Sequence, residues 1–433
     1  KKGRLDFSLC PVVRREGRLQ FLVSFMIAVT SQPKPSLKAP SHAGTQRDLT
    51  SSEDAAIYAK HSVLREGRWV KIRVPESGIY QLTSQLARQA GFSDLSRVRI
   101  FGYGGNLQNE ELHKGDLAAT DDLPEVASTM IGDRRLFYAK GPVSWENKEA
   151  TRRTRNPYSD YGYYFLTETD GKTPLMVDSA QFIADCYPLA DDYHALREVD
   201  NFSWYQGGRN LFENDPIEQG KSRTYVFSHP AGENRMANLT IAVTAGAAAS
   251  VQYRLNGKDL GNASLRLSSY NAAVEAENTY KIECTASDTI TVTTLSGGPV
   301  RMDYISYAYE RPKPQPRLAT DPFPVPEYVY AITNQDHHAA PQADLVIIIP
   351  TSQKLRPQAE RLAQMHRDRD SMRVNIVPAD ELYNEFSSGT PDANAYRRYL
   401  KMLYDRAGDD EAQMPKYLLL FGDAVWDLSL IHI

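Results

Sequence analysis

The stretch KYLLLFGDAVWD, residues 416–427, sets Leu418, Leu419, Leu420 and Phe421 in a row and closes on a Gly-Asp turn. Four large apolar side chains without polar alternation fit a strand of a parallel sheet covered on both faces. ADLVIIIP, 343–350, reads the same way, and RVNIVP, 373–378, reads as a further strand. Between them, Leu355, Ala359, Leu362 and His366 make one helical stripe, ADELYNEF a short helix, and Tyr396, Tyr399, Leu400 and Leu403 a second stripe. That last helix is expected to start at a Thr390 cap with Pro391 at its first position and to stop at Gly408. Strand, helix, strand, helix, strand opens an α/β domain, whose ligand crevices form beyond the carboxyl ends of the strands. Gly422, Asp423 and Asp427 are therefore the candidate active-site-proximal residues. The two aspartates offer carboxylates to a metal or a cationic group, although a Gly-Asp turn also serves simply to stop a strand. No residue is assigned as catalytic or as a metal ligand.

Other chemistry-bearing residues read as structural. The strand at 343–350 is followed by TSQKLRP rather than a glycine-rich loop, which excludes the phosphate cradle of a nucleotide-binding domain. FGYGG, 101–105, has no helix start after it and reads as a turn. His337 and His338 have no Cys or carboxylate at ligand spacing and read as a solvated loop, and His366 as a core or edge histidine. Cys10, Cys186 and Cys284 are far apart and odd in number, so they read as structural thiols rather than a disulfide framework or metal site.

Upstream, residues 1–30 carry two extended runs joined by RREGR, a partial N-terminal β region, and 31–54 is a Ser/Pro/Lys-rich linker. Residues 55–173 mix strands with a helix over TSQLARQAGF, an accessory domain rich in β-structure. Residues 174–310 alternate with period two, and Asn256-Gly257 between two such runs is a strong hairpin signal, so a β-sandwich or jelly roll is expected. Six prolines from Pro312 to Pro326 mark 311–343 as a linker before the α/β domain at 344–427.

The chain has 433 residues, 41% hydrophobic and 24% charged, enough for two to four domains. Its 50 basic against 54 acidic residues give a net charge of −4, which lacks the electrostatic footprint of a nucleic-acid binder. No apolar run reaches the roughly 18–20 residues of a membrane-spanning helix.

Several blocks together resemble one family, the PorU family of type IX secretion system sortases, gingipain-type cysteine peptidases of Bacteroidetes. They are GRWVKIRVPESGIYQLT, VRIFGYGG, DDLPEVA, FYAKGPVSW, NPYSDYGYYFLT, ELYNEFSSGTPD and YLLLFGDAVWD. Val70 departs from the family, where an aromatic is usual, as does Trp426, where Tyr is common. The resemblance implies a multidomain protein with β-rich N-terminal domains followed by the truncated start of an α/β caspase-like (gingipain) domain. It also implies an exported protein at the cell surface or outer membrane that removes C-terminal sorting domains from secreted cargo. Its partners are then that cargo, other secretion-system surface components and lipopolysaccharide as acceptor, with no nucleic acid. No cofactor is required for such chemistry, and a structural calcium is compatible with it. The family's catalytic His and Cys lie downstream of the Gly-Asp strand, so none is carried over and the chain by itself is expected to be inactive. LSLIHI, 428–433, is the in-frame translation of a transposon-end sequencing adapter, so the natural sequence is expected to depart after Asp427. A long read of the source DNA checks this. The alternative readings are a surface adhesin or glycan-binding protein built on the sandwich, and a carboxylate-metal hydrolase using Asp423 and Asp427.

Overall fold

The computed structural model describes residues 57–168, 171–204, 210–229, 235–268 and 270–422, together with the strands Val12–Arg15 and Arg18–Phe21. The chain divides into two compact units, Lys1–Ala55 and Ala56–Ile433. In the first, Val12–Arg15 pairs antiparallel with Arg18–Phe21, in keeping with the break at RREGR. The extended run expected after Phe21 and the linker at 31–54 lie outside the described residues.

The second unit begins with a β-rich domain of two larger sheets and a hairpin that pairs Val143–Trp145 with Arg153–Arg155. One has the order Glu327–Ile332, Trp69–Val74, Gly162–Glu168, Val98–Phe101, and the other the order Gly78–Leu82, Arg134–Ala139, Ser128–Ile131. Side chains alternate across a strand, so Val70, Ile72 and Val74 enter the core with Tyr80, Leu82, Phe137 and Tyr164. Lys71 is thereby sent to the opposite face. The helix Ser84–Gln89 starts where Thr83 Oγ1 accepts the Leu86 N–H at 3.2 Å, and Gly91 follows it at φ +78°. Glu327–Ile332 starts immediately after Pro326 and takes a sheet edge. The prolines before it lack the N–H donors a ladder needs, so the Pro-rich stretch ends in a strand only where they stop.

Gly105 and Gly162, from FGYGG and DYGYY, lie back to back. A Cβ on Gly105 would stand 2.5 Å from the Gly162 Cα, and one on Gly162 would collide with the Lys140 carbonyl. Gly162→Ala is expected to destabilise this domain by about 1–3 kcal/mol through overpacking. Chemical denaturation checks it, and an unchanged midpoint would show that the backbone yields there.

The next domain is a β-sandwich. One sheet runs His194–Glu198, Val300–Tyr309, Arg235–Ala245, Val274–Cys284, and the other Ser222–Ser228, Ser287–Gly297, Ala249–Leu255, Lys258–Leu265. Asn256 at φ +51° and Gly257 at φ +80° make the expected tight hairpin. Leu239, Ile241, Val251, Tyr253, Ile290 and Tyr307 fill the space between the sheets. The helix Ser179–Cys186, inside the span read as sandwich, instead packs Phe182 and Cys186 on Ile79 and Leu136 of the preceding domain.

The α/β part has three parallel strands in the order Val374–Pro378, Leu345–Ile349, Tyr417–Leu420. Leu345–Ile349 is central and fully buried, with Val346 and Ile348 facing one core and Leu345, Ile347 and Ile349 the other. Tyr417–Leu420 is an outer strand of this sheet among the described residues. Its Tyr417, Leu418 and Leu420 are exposed, while Leu419 and Phe421 pack inward. The helix Asn394–Ala407 starts later than the Thr390-Pro391 signal implies, because Asp392 accepts the Asn394 N–H at 2.8 Å and Thr390 Oγ1 instead donates to the Gly104 carbonyl. Among the described residues no helix is long and apolar enough to cross a membrane.

Candidate functional site

The carboxyl edge of the parallel sheet is built from adjacent strand ends. Phe421 N–H donates to the Ile348 carbonyl at 2.8 Å, and a Cβ on Gly422 would stand 3.0 Å from Pro350 Cγ. Gly422 thus faces the turn after the central strand, while Asp423 and Asp427 lie outside the described residues. Asp380 follows the end of Val374–Pro378, and its Oδ1 is buried without a hydrogen-bond partner. Burial raises its pKa, with Lys71 opposing.

Beside this edge the β-rich domain meets the α/β part through buried polar groups. Lys71 Nζ donates to the Gly389 carbonyl at 2.6 Å and to Asn384 Oδ1 at 3.2 Å, and lies 4.4 Å from the Tyr163 ring centre. Burial lowers its ammonium pKa to about 7, with Asp380 opposing. Gly389, at φ +75°, leaves room for this approach, since a Cβ there would stand 2.8 Å from Lys71 Cε. Ser388 Oγ accepts the Tyr103 N–H at 2.9 Å and donates to the Tyr163 carbonyl at 3.0 Å.

The centre of the interface is His338, which is fully buried, contrary to the solvated loop expected. Its Nδ1 lies 2.6 Å from Glu385 Oε2 and its Nε2 3.1 Å from Asp121 Oδ1, and its ring stacks on Phe386. Burial lowers the imidazole pKa, but the hydrogen bonds and charges of Asp121 and Glu385 outweigh it and carry the value up to about 10. Glu385 also accepts from Gln335 Nε2 and His337 N, both at 2.8 Å, and from His338 N at 3.0 Å. Burial disfavours its charge, yet these partners hold its pKa below the ordinary value. His337 is half-buried with Nε2 2.6 Å from Glu381. Asp122 accepts from Ser62 Oγ at 2.9 Å and Val63 N at 2.7 Å, and burial lifts its carboxyl to about 6.

The carboxylates that hold His338 lie 217 and 47 residues away in sequence, beyond any ligand-spacing rule. A signal was nevertheless present, because DDLPEVA contributes Asp121, ELYNEFSSGTPD contributes Asn384, Glu385, Ser388 and Gly389, GRWVKIRV contributes Lys71 and FGYGG contributes Tyr103. With Tyr163 of NPYSDYGYYFLT, five of the seven blocks that single this chain out meet at one interface. Chemically it joins two bodies rather than presenting a nucleophile: among the described residues Cys186 and Cys284 are buried, and burial pushes both thiols up to about 12. His366 pairs with Asp370 at 2.7 Å on its own helix.

Residues 338–430 match Peptidase family C25. The dimeric latent PorU from Porphyromonas gingivalis superposes on 87% of the chain with a TM-score of 0.70 and 26% sequence identity. The chain is PorU-like. It is a multidomain, β-rich protein, and it spans 43% of the length of that PorU chain. No curated protein matches it. A family 35 carbohydrate binding module from Clostridium thermocellum overlaps 27% of the PorU-like chain and 87% of its own, at 18% identity and a TM-score of 0.19. A GH26-CBM35 β-(1,4)-mannanase of Podospora anserina overlaps 28% of the chain and 29% of its own, at 14% identity and a TM-score of 0.22. Neither likeness supports an assignment.

Proposed function

We propose that this chain belongs to a cell-surface cysteine endopeptidase of sortase type, which removes C-terminal sorting domains from type IX secreted cargo and helps attach the cargo to surface lipopolysaccharide. The observation that supports it is the superposition on PorU through both the β-domains and the α/β part, together with the family C25 match over the latter. In this reading the parallel sheet's carboxyl edge is the rim of the peptidase site, and the His338 and Lys71 contacts hold that rim against the accessory domain. The chemistry is thiolate attack on a peptide carbonyl, with an imidazole taking and returning the proton and an acyl-enzyme passed to water or an amine. It needs no metal. Neither Cys186 nor Cys284 serves as the nucleophile, since a buried thiol with a raised pKa is a poor one.

The protein is accordingly exported and works at the outer membrane with cargo, other secretion components and lipopolysaccharide as partners. Deleting the coding region in the source organism should leave secreted cargo carrying intact sorting domains, read as C-terminal peptides by mass spectrometry. Normal cargo trimming in the deletion strain would overturn the proposal. The isolated chain, incubated with a sorting-domain substrate, should give no cleavage, and measurable cleavage would refute the expected inactivity.

A further inference from the structure

At one end of the sandwich, where the strands Ser222–Ser228, Val274–Cys284 and Ser287–Gly297 end or begin, His229, Cys284 and Asp288 meet with all three side chains buried. One donor atom from each lies within 4.8 Å of the others, and His229 Nε2 is 3.1 Å from Asp288 Oδ2. The far atoms are already held. Asp288 Oδ1 accepts from Thr285 Oγ1 at 2.7 Å, Asn256 Nδ2 at 2.9 Å and Thr285 N at 3.2 Å. His229 Nδ1 lies 2.6 Å from the Tyr309 hydroxyl. Supporting bonds on the outer atoms, with the inner atoms converging, are how proteins orient imidazole and carboxylate ligands toward a metal.

A packing role for Cys284 would ask only that sulfur be surrounded by apolar groups, yet it stands with a nitrogen and an oxygen donor. We propose that His229, Cys284 and Asp288 bind one zinc ion as a structural staple of the sandwich. Imidazole, thiolate and carboxylate form a borderline-soft set that suits zinc rather than calcium or magnesium. One thiolate and one carboxylate neutralise a divalent ion, which removes the cost of burying net charge. Zinc bonds of about 2.0–2.3 Å put tetrahedral donors roughly 3.3–3.8 Å apart, so small side-chain movements close the site. The Tyr307 hydroxyl donates to Asp288 Oδ2 at 3.4 Å. On binding, the Cys284 thiol proton leaves to solvent and the imidazole proton shifts from Nε2 to Nδ1, facing Tyr309, so one proton is released per zinc.

The test uses the purified chain, loaded with excess Zn²⁺, desalted and assayed for metal by mass spectrometry, and in parallel titrated with Co²⁺. One equivalent of zinc is expected, with a thiolate-to-cobalt charge-transfer band and tetrahedral d–d absorption. Cys284→Ala and Asp288→Asn should abolish both signals, while Cys10→Ala and Cys186→Ala retain them. A wild-type chain that stays metal-free under excess zinc would overturn the proposal, as would equal binding by Cys284→Ala or loss of the cobalt band in Cys186→Ala. If the site variants fail to fold, the wild-type cobalt spectrum with its two cysteine controls decides.

Discussion

Glu385→Ala destabilises the junction between the α/β part and the β-rich domain by about 3–5 kcal/mol, the cost of removing one partner from a buried ion pair. The side chains of Glu385 and His338 are both fully buried, so the variant leaves an imidazolium facing only Asp121, and Gln335 Nε2 and two backbone N–H groups lose an acceptor. The loss depends on pH. His338, with a folded pKa of about 10, contributes stability that is complete below its ordinary value near 6.5 and fades as pH rises through 10. Glu385, with its pKa lowered, contributes above the ordinary glutamate value and loses that contribution as pH falls below it. The deficit should therefore be largest at about pH 5–6 and shrink toward about pH 10. Urea unfolding at several pH values, with hydrogen exchange read over residues 335–343 and 379–386, measures it. A deficit below about 1 kcal/mol, within the range of exposed pairs, would show that the buried pair does not hold the junction.

The second large effect lies at the other side of the β-rich domain, where Arg153 reaches into the sandwich. Its Nε donates to Glu198 Oε1 at 2.9 Å, its Nη2 bonds Glu198 as well as Asp303 Oδ1 at 3.1 Å, and its guanidinium lies 4.1 Å from the Tyr304 ring centre. The Glu198 and Asp303 side chains are 1% and 3% exposed. Arg153→Ala leaves buried Glu198 with Arg155 at 3.6 Å and buried Asp303 with Asn210 Nδ2 at 3.2 Å, and should cost about 3 kcal/mol at neutral pH, with Arg153→Met separating charge from lost packing. Burial lifts the Asp303 carboxyl to about 7 even with Arg153 beside it. A folded pKa above the ordinary carboxyl value means stability that is present at low pH and lost as pH rises through 7. Without Arg153 the protonated acid becomes still more favoured, so the deficit should be smaller at about pH 5 than at about pH 8. That trend is opposite to the one at Glu385, so the two junctions can be told apart in one pH series. Equal deficits at both pH values would mean that Asp303 is not the group left stranded.

Local pattern carried a good deal of this architecture. The Asn256-Gly257 hairpin follows from the positive φ that both residues tolerate, and Leu345–Ile349 from five consecutive apolar side chains that only a doubly covered strand accommodates. The Ser84–Gln89 helix likewise lies within the TSQLARQAGF stretch read as helical. The readings that changed concern burial and partnership. The start of Asn394–Ala407 shifted because the Thr390 hydroxyl found the Gly104 carbonyl, 286 residues away.

The sequence by itself determined the strands of the sandwich, the alternation of strand and helix in the α/β part, and through its conjoined blocks which family the chain resembles. Tertiary structure alone decided what those blocks do. A histidine in a polar stretch is indistinguishable from a solvated one until Asp121 and Glu385 arrive from distant segments, and a lysine on a strand is ordinary until the turn at Gly389 closes over it. Charge state and burial depend on neighbours in space, and propensity is a property of neighbours along the chain.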